Sequence, residues 1–248
     1  APNAAGTSWQ DATRSLTTLT IELPAVETDT AMDVEALVAT MRGRVTDDGN
    51  EAPQVQLYWG TTDGGTDPAA WQATADLGRQ SSEFAWTVGQ LQHGTTYFYR
   101  ARVENSAGSS WSNAANSFTT LTATAAQVAN DPASAITSTT ARLGGHVVNL
   151  GNDPPDIRLY YGTIDGGTNA ANWQAFVEFS EEYGTFSTTL SGLAADTEYF
   201  FRSQSSNAAG MAWAPASTSF RTATAPVLLI TELMASNETT LSTRLRAT

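Results

Sequence analysis

The chain has 248 residues, a formal net charge of −13 and a pI near 4.4, with charged residues 15% and apolar residues 41% of the total. Phosphate binding needs clustered Lys and Arg, so this balance argues against a nucleic-acid partner, and it repels anionic membrane surfaces as well. All 12 basic residues are Arg and there is no Cys, which removes lysine nucleophiles, Lys–Asn isopeptide cross-links, disulfides and thiolate metal sites.

Taken in order, the chain opens on Ala1-Pro2-Asn3, without the basic and apolar regions of a signal peptide. Either a signal has been removed or the chain is part of something longer. Asn3-Ala4-Ala5-Gly6-Thr7-Ser8-Trp9 matches Asn105-Ser106-Ala107-Gly108-Ser109-Ser110-Trp111, an offset of 105 − 3 = 102 residues, and Ser15–Thr20 matches Ser117–Thr122 at the same offset. Residues 1–20 therefore read as the last strand of a partial repeat. Residues 21–33 read as a polar, acidic linker carrying Glu22, Glu27, Asp29 and Asp33, and Leu23-Pro24 does not suit a central strand because Pro lacks the donor N–H.

Residues 34–121 read as a first full module of short alternating strands. Ala39–Val45, Gln54–Trp59, Trp71–Leu77, Phe84–Leu91, Tyr97–Val103 and Trp111–Thr119 are the expected strands, with one helical turn at Asp67–Ala70. Val55, Leu57 and Trp59 are expected inside, as are Tyr97, Tyr99, Ala101 and Val103, with Phe98, Arg100 and Arg102 pointing the other way. Residues 122–137 read as a second linker, with Asn130-Asp131-Pro132 as a turn; both linkers are short enough to hold modules end to end. Residues 138–224 are a second module. Leu57-Tyr58-Trp59-Gly60-Thr61-Thr62-Asp63-Gly64-Gly65-Thr66 returns in it as Leu159-Tyr160-Tyr161-Gly162-Thr163-Ile164-Asp165-Gly166-Gly167-Thr168, again offset by 159 − 57 = 102, with no insertion or deletion. This is a tandem duplication. The expected fold is all-β, two tandem antiparallel β-sandwiches with extra terminal strands.

Two stretches carry a family resemblance. Leu91-Gln92-His93-Gly94-Thr95-Thr96-Tyr97 and Leu193-Ala194-Ala195-Asp196-Thr197-Glu198-Tyr199 resemble the Leu-x-Pro-x-Thr-x-Tyr turn of fibronectin type III domains, in which a tyrosine hydroxyl returns to nearby backbone. Tyr97–Gly108 resembles that family's sixth strand and following turn. His93 and Ala195 stand where the usual Pro would be, and the usual second-strand Trp is missing. The resemblance spans roughly residues 34–222 and the stub at 3–20; it implies a fold and is nearly silent on function. Residues 225–248 leave the repeat, and Ala225–Asn237 resembles the first strand of a lamin-tail-type domain.

Nothing in the sequence specifies a reaction. The two histidines, His93 and His146, are replaced by Ala195 and Arg44 in the other module, and no serine lies in a nucleophile elbow, so an enzyme is not expected and no cofactor is implied. Asp63, Asp67 and Asp165 in the Gly-rich loops admit a calcium reading, beside the plainer one of Asp and Gly supplying turn geometry. Tyr58, Phe98 and Arg100, with Tyr160, Phe200 and Arg202, form an outward aromatic–arginine set that either packs the sheet face or docks a glycan or another surface protein. Asn237-Glu238-Thr239 matches a glycosylation sequon by pattern. The apolar run Val227, Leu228, Leu229, Ile230 and Leu233 has the character of a strand that completes a neighbour's sheet. The leading expectation is a non-enzymatic extracellular or cell-surface structural protein that self-associates head to tail through its terminal strands. The alternative is a portion of a large modular adhesin or spacer, glycan-binding in one version.

Overall fold

The computed structural model describes residues 15–226. The chain divides into two compact units, Ala1–Thr122 and Ala123–Thr248. Unit 1 holds β1 (Ala25–Met32), β2 (Ala39–Asp47), β3 (Gln54–Gly60), β4 (Ala73–Arg79), β5 (Glu83–Val88), β6 (Thr96–Asn105), β7 (Gly108–Trp111) and β8 (Asn116–Thr119). Unit 2 holds β9 (Gln127–Asn130), β10 (Thr140–Asn149), β11 (Asp156–Gly162), β12 (Ala175–Phe179), β13 (Thr185–Ser191), β14 (Glu198–Asn207), β15 (Gly210–Trp213) and β16 (Thr218–Arg221). In unit 1 the sheets run β1-β2-β5 and β4-β3-β6-β7, with β8 also on β6; in unit 2 they run β9-β10-β13 and β12-β11-β14-β15, with β16 also on β14. Every pairing is antiparallel. Each unit is a three-on-five sandwich of fibronectin type III/immunoglobulin type.

The inward faces follow the period-2 reading. Val55, Leu57, Tyr99, Ala101 and Val103 are wholly buried, Tyr97 nearly so, and Trp59 packs against the same core. Unit 2 repeats the arrangement with Ile157, Leu159, Tyr199 and Phe201. The expected helical turn is a 3-10 turn at Pro68–Ala70, repeated at Ala170–Asn172.

Three expectations are corrected. Residues 21–33 are not a linker: Ala25–Met32 is the first strand of unit 1, paired along β2. Its alternation is hidden by irregularities between Ala25 and Val26 and between Asp29 and Met32, and its polarity suits an edge strand that meets water on one side. Val26 faces the core, Glu27 and Asp29 both take hydrogen bonds from Arg44, and Pro24 sits fully buried just before the strand starts. Residues 122–137 likewise contain β9, which pairs with β10. Asn130, expected in a turn, instead ties two sheets together: its amide donates to the carbonyls of Phe201 (3.3 Å) and Ala216 (3.0 Å) and accepts from the Ser203 N–H (2.9 Å). Trp111–Thr119 is two strands, because residues 112–115 leave the ladder between β7 and β8.

The tyrosine corners are present in both units. The Gln92 N–H donates to the Tyr97 hydroxyl at 3.0 Å, and the Ala194 N–H to the Tyr199 hydroxyl at 3.0 Å. Thr120 closes the same corner by donating to the Gln92 carbonyl and accepting from the Thr95 N–H, as Thr222 does with Ala194 and Thr197. Asn105 and Asn207 are a second repeated clamp. Asn105 donates to the carbonyls of Glu22 (2.8 Å) and Asp48 (3.2 Å), and Asn207 to those of Thr124 (2.9 Å) and Leu150 (3.3 Å).

Candidate binding face

The most faithfully repeated stretch folds over a tryptophan. Trp71 and Trp173 are buried, and their indole N–H groups donate to the carbonyls of Gly65 (3.3 Å) and Gly167 (3.4 Å). Gly64 and Gly166 lie flat on those rings: a Cβ there would stand 2.8 and 2.6 Å from the indole, inside contact distance. The repetition of Gly64 and Gly166 is therefore a packing requirement of the tryptophan beneath them, while Gly65 and Gly167 (φ 60°) are kept by the turn that Asp63 and Asp165 close.

The candidate calcium ligands are engaged in the same turns. Asp63 accepts the Gly65 N–H, Asp67 caps the 3-10 turn by accepting the Ala69 N–H, and Asp165 accepts the Gly167 N–H, each at 2.9 Å. Asp165 also takes the Ser217 hydroxyl at 2.6 Å; that bond first, and the Gly167 N–H second, hold its carboxyl below the usual aspartate value. Among the described residues no three His, Asp or Glu side chains gather as a metal site. His146 pairs with Asp131 at 2.9 Å on the surface, and His93 lies in the first tyrosine corner.

The aromatic–arginine set is real as a pattern and faces outward, but it is largely covered. Tyr58 stands opposite Arg100 and Tyr160 opposite Arg202 across the ladders. Tyr58 and Tyr160 are only 7% and 4% exposed, covered by Trp111 (ring centroids 4.9 Å) and Trp213 (5.1 Å). Arg100 donates to the Asn113 carbonyl at 2.9 Å, and Arg202 to those of Ala214 (2.8 Å) and Pro215 (3.0 Å). Phe98 and Phe200 are half-buried. Packing accounts for most of the set.

What remains outward on the five-stranded sheet of unit 2 is ordered in rows by the ladder register. One row is Phe176, Tyr160 and Arg202; the next is Glu178, Arg158, Gln204 and Trp213; the third contains Asp156, Ser206 and Met211. Phe176 is 48% and Met211 68% exposed. Arg158 bonds Glu178 at 2.8 Å and lies over the Phe176 ring, 5.2 Å from its centroid. The sequence signal for this face was a break in the repeat rather than the repeat itself. Where unit 2 has Phe176 and Met211, unit 1 has Thr74 and Ser109.

The run Val227, Leu228, Leu229, Ile230 and Leu233 lies outside the described residues, as do the stub at 3–14 and the sequon at Asn237. No protein-family model matches the chain, and no curated protein matches it. Among solved structures it is similar to the FN1–FN3 domains of chicken CNTN1, at 12% identity over 82% of this chain and 68% of that one, TM-score 0.36. It is also similar to a set of titin domains, at 12% identity over 81% and 66%, TM-score 0.35. The short sensor domain of the anti-sigma factor RsgI4 of Pseudobacteroides cellulosolvens matches at 22% identity over 40% of this chain and 96% of that one, TM-score 0.30. These are likenesses of fold.

Proposed function

We propose that the chain is a non-catalytic structural module of a secreted or cell-surface protein, in which paired sandwiches serve as a spacer or adhesive scaffold. The observation that carries this reading is where the repeated polar side chains end. Asn105, Asn207, Thr120, Thr222, Asp63 and Asp165 all close turns or clamp backbone of their own unit, so the preserved chemistry is that of a scaffold. No helix among the described residues is long and apolar enough to cross a membrane. Protease treatment of intact producing cells, followed by immunoblotting, tests the placement: the chain is expected to be cut or released without lysis. Protection until lysis would sink the extracellular reading.

A second reading is favoured by the open sheets. β1, β5 and β4 in unit 1, and β9, β13 and β12 in unit 2, are outer strands with an unshared edge, and such edges accept an added strand. In this reading the apolar run at 227–233 of one copy adds to an edge of the next, building a filament. Electron microscopy of purified protein across a concentration series is expected to show filaments that Leu229→Asp abolishes. Monomers at every concentration would refute it.

A further inference from the structure

We propose that the outer face of the five-stranded sheet in unit 2 binds a neutral polysaccharide chain. The two copies differ in what they expose. At three positions along this face unit 2 exposes a large apolar side chain where unit 1 has a small hydroxyl residue: Ile164 for Thr62, Phe176 for Thr74 and Met211 for Ser109. In unit 2 these side chains are 73%, 48% and 68% exposed. Burial does not explain them, since a shared scaffold folds with Thr and Ser at the same places.

The face also has the form of an extended ligand site. Three shallow hollows of about 210, 590 and 210 Å³ adjoin one another through shared walls. Arg158 lines the first and second, and Trp173 and Gln174 line the second and third. They follow β11, whose seven residues span roughly 20 Å at strand rise. A linear chain of several sugar rings fits such a trough, whereas a compact ligand would want one enclosed pocket.

The chemistry selects the ligand. Arg158, Arg202 and Arg221 balance Asp156, Glu178 and Glu198, so the charges on the strands of this face sum to zero (3 − 3) in a molecule of net charge −13. An anionic chain gains nothing here and is repelled by the whole. Phe176 keeps 48% of its surface open beside the Arg158 guanidinium that lies over its ring, and such aromatic surface attracts the polarised C–H bonds of a sugar. Glu178, Arg158 and Ser206 supply donors and acceptors for hydroxyls. A protein partner is disfavoured by the layout: stable interfaces bury about 800 Å² per side around a contiguous apolar centre. Here Phe176 on β12 and Met211 on β15 stand three strands and two rows apart, with the Arg158–Glu178 ion pair in the row between them.

This inference goes beyond the scaffold reading, which survives its failure. The test is affinity electrophoresis of the full chain in gels containing mixed-linkage β-glucan, xylan, galactomannan, polygalacturonate or nothing. At least one neutral polysaccharide is expected to retard the chain. The F176T/M211S variant, which installs the unit 1 residues, should lose at least tenfold in affinity with its melting temperature held. Arg158→Gln, again the unit 1 residue (Gln56), is expected to weaken binding independently, so a misfolded double variant does not end the test. Retardation by no neutral polysaccharide, retardation by polygalacturonate alone, or retardation unchanged in both variants overturns the proposal. So does self-association in sedimentation that the double variant abolishes while no neutral gel retards the chain, which would make the face a contact between copies.

Discussion

Phe201→Ala is expected to remove about 3–5 kcal/mol from unit 2, the usual cost of deleting a large buried aromatic side chain. Phe201 is wholly buried at the centre of the five-stranded sheet. Its strand β14 is paired on one side with β11, where Tyr161 stands opposite, and on the other with β16, where Thr218 does. Its ring meets that of Phe220 edge-on, at 6.3 Å and 61°. Hydrogen-bonded strands on both flanks leave little freedom to collapse into the space left by the ring. Domains of this size hold about 5–15 kcal/mol in all, and each kcal/mol is worth about 4–8 °C, so a drop of at least about 12 °C in the melting of unit 2 is expected. Calorimetry with hydrogen exchange on the β14 amides checks it. Tyr183→Ala, at a side chain 69% exposed, should change stability by no more than about 0.5 kcal/mol. A loss below about 1 kcal/mol for Phe201→Ala would mean that the core of unit 2 is not centred on it.

The second large effect is alkaline. At the position matching Phe201, 102 residues earlier, unit 1 has Tyr99, equally buried, with its hydroxyl donating to the Asp29 carbonyl of β1. Burial, more than any neighbour, pushes its pKa from 10.0 to about 12. In the unfolded chain the phenol ionises near 10, so from there to about 12 the native state holds a proton that the unfolded state has released. The stabilisation is complete below pH 10 and disappears as pH rises towards 12. At about 1.4 kcal/mol per pKa unit, unit 1 should lose on the order of 2–3 kcal/mol across that window. Tyr99→Phe gives up one hydrogen bond at neutral pH, about 1 kcal/mol, and should abolish this alkaline component. Denaturant titrations at pH 9 and 11.5 decide it; an alkaline loss of equal size in Tyr99→Phe would show that Tyr99 is not its source.

Much of the fold was legible because the strands of the five-stranded sheets keep strict alternation. Val55, Leu57, Tyr99, Ala101 and Val103 lie where period 2 places them, and both tyrosine corners form at the residues that suggested them. β1 and β9 were not legible. Irregular pairing breaks the alternation in β1, β9 has only four residues, and edge strands carry the polar residues that normally signal a loop. The binding face was illegible for another reason. Outward Tyr58 and Tyr160 looked available because alternation reports which face a side chain takes but not what lies over it. Trp111 and Trp213 reach the outer face from β7 and β15, and only the ladder register reveals that cover. The positions that do stand open, Phe176 and Met211, show in the sequence only when one copy is subtracted from the other.

The clamps made by Asn105, Asn207, Thr120 and Thr222 have a consequence for heredity. Each joins partners inside one unit, and each recurs at the same 102-residue spacing. A recombination event that shifts the gene by that length therefore delivers a cassette carrying its own fastenings, wherever within the repeat the crossover falls. Lengthening by whole copies costs the lineage no folding defect. Once a second copy exists, one of them can change its outer face while the other keeps its own, as the difference between Thr74 and Phe176 shows.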